Sequence, residues 1–257
     1  MSPSKLASRI DGPAGAPHVT FSHSLASDLR MWDPQVAALR DSYRMLRFDT
    51  RGHGNSAVPS APYSLGDLVG DVVALLDDNG VDQTHFVGLS MGGMIAQGLA
   101  LEHPDRVASI TIANSMAMLP EGAESMWDER IATAREHGMI PLADPTIERW
   151  FTADMRTREE SVVARVREQI LATAVDGYVG CSEAIKRLDY ASRLGEIDVP
   201  TLLIAGDQDA GTPAAAMRAM HTAVANSEYV ELEAAHLSNL ERPAEFTAAL
   251  VRFLSSR

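Results

Sequence analysis

The stretch His85-Phe86-Val87-Gly88-Leu89-Ser90-Met91-Gly92-Gly93 carries a short apolar run straight into a glycine-bracketed serine. Helical periodicity follows at once in Met94, Ile95, Gln97, Leu99 and Leu101, until Pro104 stops it. The pattern reads as strand, sharp turn, helix. A turn that tight forces its middle residue into a strained backbone conformation, and only small neighbours let the chain pass itself so closely. The serine hydroxyl is then presented at the carboxyl edge of a sheet, at the positive end of the next helix. That setting suits a nucleophile, so Ser90 is expected to be one rather than a residue of a plain glycine-rich turn.

Working outward, the same alternation continues on both sides. Before the serine, His18 to Phe21 and Met45 to Phe48 read as strands, the second running into the loop Asp49-Thr50-Arg51-Gly52-His53-Gly54. Ser64 opens a helix, with Asp67 three residues on in capping-box spacing and Leu65, Leu68, Val69, Val72 and Leu76 keeping a helical period. After it, Val107 to Ala113 is a β-branched strand. Strand signals then vanish until Thr201 to Ala205; helices are expected near 124–137, 146–155, 159–175 and 180–188. A helix from about Pro213, a strand near 228–232 and a helix over 244–254 close the chain. Strands alternating with helices predict a mostly parallel central sheet flanked by helices. The expected architecture is an α/β-hydrolase fold, with a core of residues 1–114 and 196–257 and an all-helical lid, or cap, inserted at 115–195.

A serine nucleophile needs a base, and the base needs a carboxylate to orient it. In such a fold they follow the serine in the order Asp, His. The segment Gly206-Asp207-Gln208-Asp209-Ala210-Gly211-Thr212-Pro213 offers two aspartates just past a strand end. Asp209 is the expected acid from its Gly-x-x-Asp-x-x-x-Pro register, with Asp207 as competitor and a simple turn role as the alternative for either. His236 is the only histidine between the last strand and the last helix, and is the expected base. His53, in its glycine-rich loop, reads as structural. Two backbone N–H groups must hold the oxyanion: Met91, after the nucleophile, and Leu25, or less favourably Ser24, in the turn His23-Ser24-Leu25.

Composition removes several classes of function. The 257 residues, with 46% apolar and 22% charged, suit one soluble domain with an insertion. A net charge of −13 argues against a nucleic-acid or anionic-membrane partner. No run reaches the roughly 20 apolar residues of a membrane span, and no apolar segment of a signal peptide is visible. The single cysteine, Cys181, excludes an intrachain disulfide and fits a reducing compartment, so a cytoplasmic location is expected. No Cys/His cluster has metal-ligand spacing, and the glycine-rich segments match neither a phosphate loop nor a dinucleotide fingerprint. Catalysis without metal or cofactor on a small-molecule ester or lactone is the expectation.

From Asp11 onward the chain resembles the 3-oxoadipate enol-lactonases. The resemblance is carried by Ser22 to Asp33, by Asp49 to Gly54, by Gly88 to Gly93, and in the lid by Gly177-Tyr178-Val179-Gly180-Cys181 with Ala184 to Asp189. It implies attack of Ser90 on a small enol-lactone bearing a free carboxylate, and therefore a cation in the pocket. Arg130, Arg135, Arg149, Lys186 and Arg187 are the lid cations available, with Arg130 and Lys186 the favoured pair. Trp127 and Trp150 would wall the pocket, unless they are plain core. Where many proteins of this fold have His-Gly, Ser24 follows His23 here, and the few residues before His18 leave little room for an opening hairpin. A general carboxylesterase or lactonase, a perhydrolase, a C–C hydrolase and a ligand receptor remain as alternatives.

Overall fold

The apolar runs join edge to edge in one sheet. The computed structural model describes residues 3–257, and in it seven strands lie in the order β1-β3-β2-β4-β5-β6-β7: β1 (Ser8–Asp11), β2 (His18–Ser22), β3 (Arg44–Phe48), β4 (Thr84–Leu89), β5 (Val107–Ala113), β6 (Thr201–Gly206) and β7 (Ser227–Leu232). Every pairing is parallel except that of β1 with β3. Neither β1 nor the short helix α1 (Asp33–Leu39) was expected from the sequence. The chain opens with this single edge strand, and no hairpin partner flanks it among the described residues.

Helices α2 (Leu65–Asp78) and α3 (Met91–Glu102) follow β3 and β4. Ser64 and Asp67 form the capping box expected of them, each side chain bonding the other's backbone N–H. β4 and β6 are buried along their whole length, as strands covered on both faces must be. Their uninterrupted apolar sequences follow from that burial.

Between β5 and β6 come α4 (Glu124–His137), α5 (Ile140–Trp150), α6 (Ala153–Arg158), α7 (Glu160–Ala172) and α8 (Val175–Lys186). The helix expected near 146–155 is two helices. Phe151 is extended, and the Thr152 hydroxyl accepts from the Met155 N–H at 3.2 Å to start α6. α8 begins at Val175 rather than near 180, because packing overrides the low helix propensity of Gly177 and Gly180. The two ends of this insertion lie side by side: Met118 bridges Asp189, and the Tyr190 N–H donates to Ala117 O at 2.7 Å. α8 sits on the core backbone to backbone, where a Cβ on Gly177 would stand 2.0 Å from Gly52 O. Gln169 of α7 adds a 2.7 Å hydrogen bond to the buried Asp28. α9 (Ala214–Ala223), α10 (Ser238–Glu241) and α11 (Pro243–Leu254) complete the chain.

Candidate active site

Ser90 occupies the turn between β4 and α3 with φ 57° and ψ −115°. That conformation costs a non-glycine residue on the order of 1–3 kcal/mol, and its surroundings enforce it. The Ser90 N–H donates to Ala113 O at 2.8 Å, and the Ser115 hydroxyl donates to Ser90 O at 2.8 Å. The flanking glycines are required by contact: a Cβ on Gly88 would lie 2.0 Å from Gly92 O, and one on Gly92 would lie 2.2 Å from Ser22 O.

Parallel strands bring the loops after β2, β4, β5, β6 and β7 to one edge of the sheet. Asp209 lies there on the loop after β6, and His236 on the loop after β7. The His236 Nδ1–H donates to Asp209 Oδ2 at 2.8 Å. Asp209 also accepts from the Gly211 N–H at 2.9 Å, the Thr212 N–H at 3.0 Å, the Thr212 hydroxyl and the Asn114 amide at 3.0 Å. Burial pulls its carboxyl pKa upward, but the adjacent His236 ring and the hydrogen bonds from His236 and Thr212 outweigh burial and hold it at about 2. Asp207 is exposed and only accepts from the Ala234 N–H at 3.2 Å, which braces the turn.

Ser90, Asp209 and His236 all line a cavity of about 300 Å³. The Ser90 hydroxyl and the imidazole are not hydrogen-bonded to each other; in such sites that contact commonly tightens with substrate. Leu25 and Ser24 line the same cavity. Among the described residues the N–H groups of Leu25 and Met91 have no protein acceptor, whereas the Ser24 N–H is turned to Met31 Sδ at 3.4 Å. Leu25 rather than Ser24 is therefore the free donor of that turn.

The helices inserted between β5 and β6 supply the far wall. Trp150 stacks on His236, ring centroids 5.9 Å apart, and its carbonyl accepts the Leu237 N–H at 3.1 Å. Trp127 lines the cavity with the Arg130 guanidinium 5.0 Å from its ring. Arg149 lines it too, donating to Thr146 Oγ1 at 3.0 Å. Neither arginine has a carboxylate partner among the described residues. Burial lowers the Arg149 pKa, and the like charge of Arg130 lowers it further.

Lys186, expected in the pocket, is not part of it. It lies where α8 packs on α4, and it pairs with Asp128 of α4 and with Glu183 at 3.6 Å. Arg187 is exposed beside Glu183, and Arg135 is also exposed; neither lines the cavity. Several contributors went unread in the sequence. Asn114, fully buried at the end of β5 with φ 43°, joins the Asp209 loop to the His236 loop by donating to Asp209 and to Ala235 O at 3.2 Å. Buried Glu241 accepts from the Ala235 N–H at 3.1 Å and from the Thr152 hydroxyl, tying the His236 loop to the lid. The position of Asn114 just past a strand at the working edge was a signal open to reading.

Residues 17–243 match the α/β-hydrolase fold family. The 3-oxoadipate enol-lactonase 2 of Acinetobacter baylyi is 36% identical over 239 residues, 93% of this chain and 89% of that protein. The crystal structure of the enol-lactonase from Burkholderia xenovorans superposes with a TM-score of 0.95 at 42% identity, covering 98% of this chain and 97% of that one. A thermophilic esterase from Thermogutta terrifontis, solved with malate bound, gives 0.94 at 26% identity, covering 98% and 94%. With its strained serine turn and its cavity walled by α4, α5, α7 and α8, the chain belongs to the α/β-hydrolase family and, within it, to the 3-oxoadipate enol-lactonases.

Proposed function

We propose that this chain is a serine hydrolase that opens 3-oxoadipate enol-lactone to 3-oxoadipate without metal or cofactor. One observation carries the choice of substrate: the cavity that holds Ser90, Asp209 and His236 also holds Arg130 and Arg149, two cations with no carboxylate partner among the described residues. Two like charges held together in a half-buried pocket are unfavourable on their own and call for an anion. An acidic body, at −13, repels anions at long range, so a carboxylate-bearing substrate needs such a local site.

The Ser90 hydroxyl attacks the lactone carbonyl while His236, held in its Nδ1–H tautomer by Asp209, takes the proton. The N–H groups of Leu25 and Met91 stabilise the oxyanion. Collapse breaks the ring C–O bond, the enolate leaves and regains a proton, and an acyl-enzyme remains on Ser90. Water activated by His236 releases the acid. Residues 1–114 and 196–257 form the catalytic core, and 115–195 the lid that chooses the substrate. No helix of the described residues is long and apolar enough to cross a membrane, and we place the enzyme in the cytoplasm, acting on a free small molecule.

The test compares the anionic lactone with a neutral p-nitrophenyl ester. A charge-assisted contact contributes about 1.5–3 kcal/mol. Arg130→Gln or Arg149→Gln should therefore lower kcat/KM for the lactone about 10- to 100-fold and leave the neutral ester almost unchanged. Lys186→Gln is the control and should change neither. If the ratio of the two activities stays within about threefold in both arginine variants, a general esterase is the better reading.

A further inference from the structure

The reaction above leaves unused two fully enclosed histidines beside the oxyanion turn, His23 and His53. His23 Nδ1–H donates to Ser24 O at 2.7 Å, and its Nε2 accepts the Thr50 N–H at 2.9 Å. His53 Nε2 accepts the Ala26 N–H at 3.0 Å, and its Nδ1–H donates to Arg51 O at 3.1 Å. The two rings lie 5.3 Å apart. Each nitrogen that accepts an N–H must be bare, so both rings are neutral and each is locked in one tautomer. Burial lowers both pKa values, that of His53 to about 3 with the neighbouring His23 adding to the effect.

These contacts bracket one peptide bond. The Ser24–Leu25 link is trans, the only cis bond among the described residues being Ala61–Pro62. In a trans peptide the C=O and the following N–H lie in one plane and point in opposite directions. Fixing Ser24 O therefore fixes the direction of the Leu25 N–H. The next residue, Ala26, has φ 57°, a conformation a non-glycine residue holds only when its surroundings impose it. The His53 contact to its N–H supplies that constraint.

We propose that His23 is the positioning residue of the oxyanion hole: by holding the Ser24 carbonyl it turns the Leu25 N–H, at the other end of the same peptide, into the pocket. The inference rests on Leu25 being the oxyanion donor. His53 steadies the following peptide and packs tilted against His23, ring planes 55° apart, so the loop Arg51-Gly52-His53-Gly54 takes part in the site without touching substrate.

Two substitutions separate positioning from packing. Asn places a donor where Nδ1 stood; Gln reaches instead to the Nε2 position and leaves Ser24 O with only the 3.3 Å contact from the Ser27 N–H. In His23→Gln, kcat for p-nitrophenyl butyrate should fall about 10²-fold, the usual loss of one oxyanion donor, and His23→Asn should keep at least about ten times more of it. Binding of 1-butylboronic acid, which forms a tetrahedral anion on the serine, should weaken in the same order. KM and the inhibition constant of planar butyramide should stay within about threefold. The proposal is overturned if Gln performs as well as Asn, or if the boronic acid and butyramide weaken together. A measurement on the wild-type protein stands beside these: ¹⁵N imidazole shifts at pH 7 should show His23 protonated at Nδ1 and bare at Nε2, and the opposite tautomer or an imidazolium would overturn it. Failure of the serine-hydrolase reading would appear separately, as full activity in Ser90→Ala.

Discussion

Asp209 accepts five hydrogen bonds, one of them from His236, whereas the Asp207 side chain accepts one, from the Ala234 N–H; that contrast supports Asp209 as the proposed acid. Asp209→Asn should lower kcat about 10⁴-fold by favouring the wrong imidazole tautomer, while Asp207→Asn should have a far smaller effect; steady-state kinetics that rank them the other way would make Asp207 the acid. The same variant carries a pH signature. The folded pKa of Asp209, about 2, lies below the unfolded value near 3.9, so its stabilisation is fully present above that value and is lost as pH falls toward 2. Melting temperatures across pH 5 to 2 should therefore fall less steeply in Asp209→Asn than in the wild type. At this scale chemistry demands one residue type in one order along the chain, and the three residues chosen on that ground, Ser90, Asp209 and His236, line one cavity. Lys186 was misread because a cation's charge is visible in the sequence, but the side of α8 it occupies, facing Asp128 of α4, depends on tertiary packing. Asn114 was missed because a neutral amide announces no role until its two partners, 95 and 121 residues away, are seen beside it.

Among the elements, strands β2 to β7 and the long core helices were legible because each is a continuous apolar or periodic run, β1 and α1 were not, and the insertion between β5 and β6 was legible as helical but not in its boundaries. The break between α5 and α6 is set by tertiary contacts rather than by propensity. It puts Trp150 over the His236 ring and the Thr152 hydroxyl on Glu241. Thr152→Val would leave the buried Glu241 carboxylate short of a donor and remove the cap of α6. It should destabilise the protein by about 1–3 kcal/mol, read by urea unfolding. It should also lower kcat for neutral and anionic substrates alike, since the loop that carries the base loses a tether. An effect confined to the anionic lactone would show instead that the lid, not the base, had moved.

Across the whole molecule, two fields of opposite sign act on an anionic substrate. The body, at −13, repels it over tens of ångströms at low salt, and the arginine pair attracts it at contact range. The Debye length shrinks from about 30 Å at 0.01 M to about 8 Å at 0.15 M ionic strength, and partly buried pairs are screened much less than exposed charges. Raising salt over that range should therefore increase kcat/KM for the anionic lactone and leave a neutral ester flat. A fall for the lactone would mean that the local attraction dominates capture. Charge totals were plain in the sequence; the opposing local pair was not, because Arg130 and Arg149 meet only when α4 folds beside α5.

The seat of Gly177 on Gly52 bears on how related hydrolases can be recombined. A chimera that imports a foreign insertion between residues 117 and 190 inherits the Tyr190 N–H to Ala117 O contact at the neck, but it must also bring a glycine to position 177. Any larger residue there meets Gly52 O and lifts the graft away from the core. The loop displaced by that lift is the one whose His53 backs His23, so a poorly seated graft would impair turnover of every ester, beyond any change in which esters are accepted.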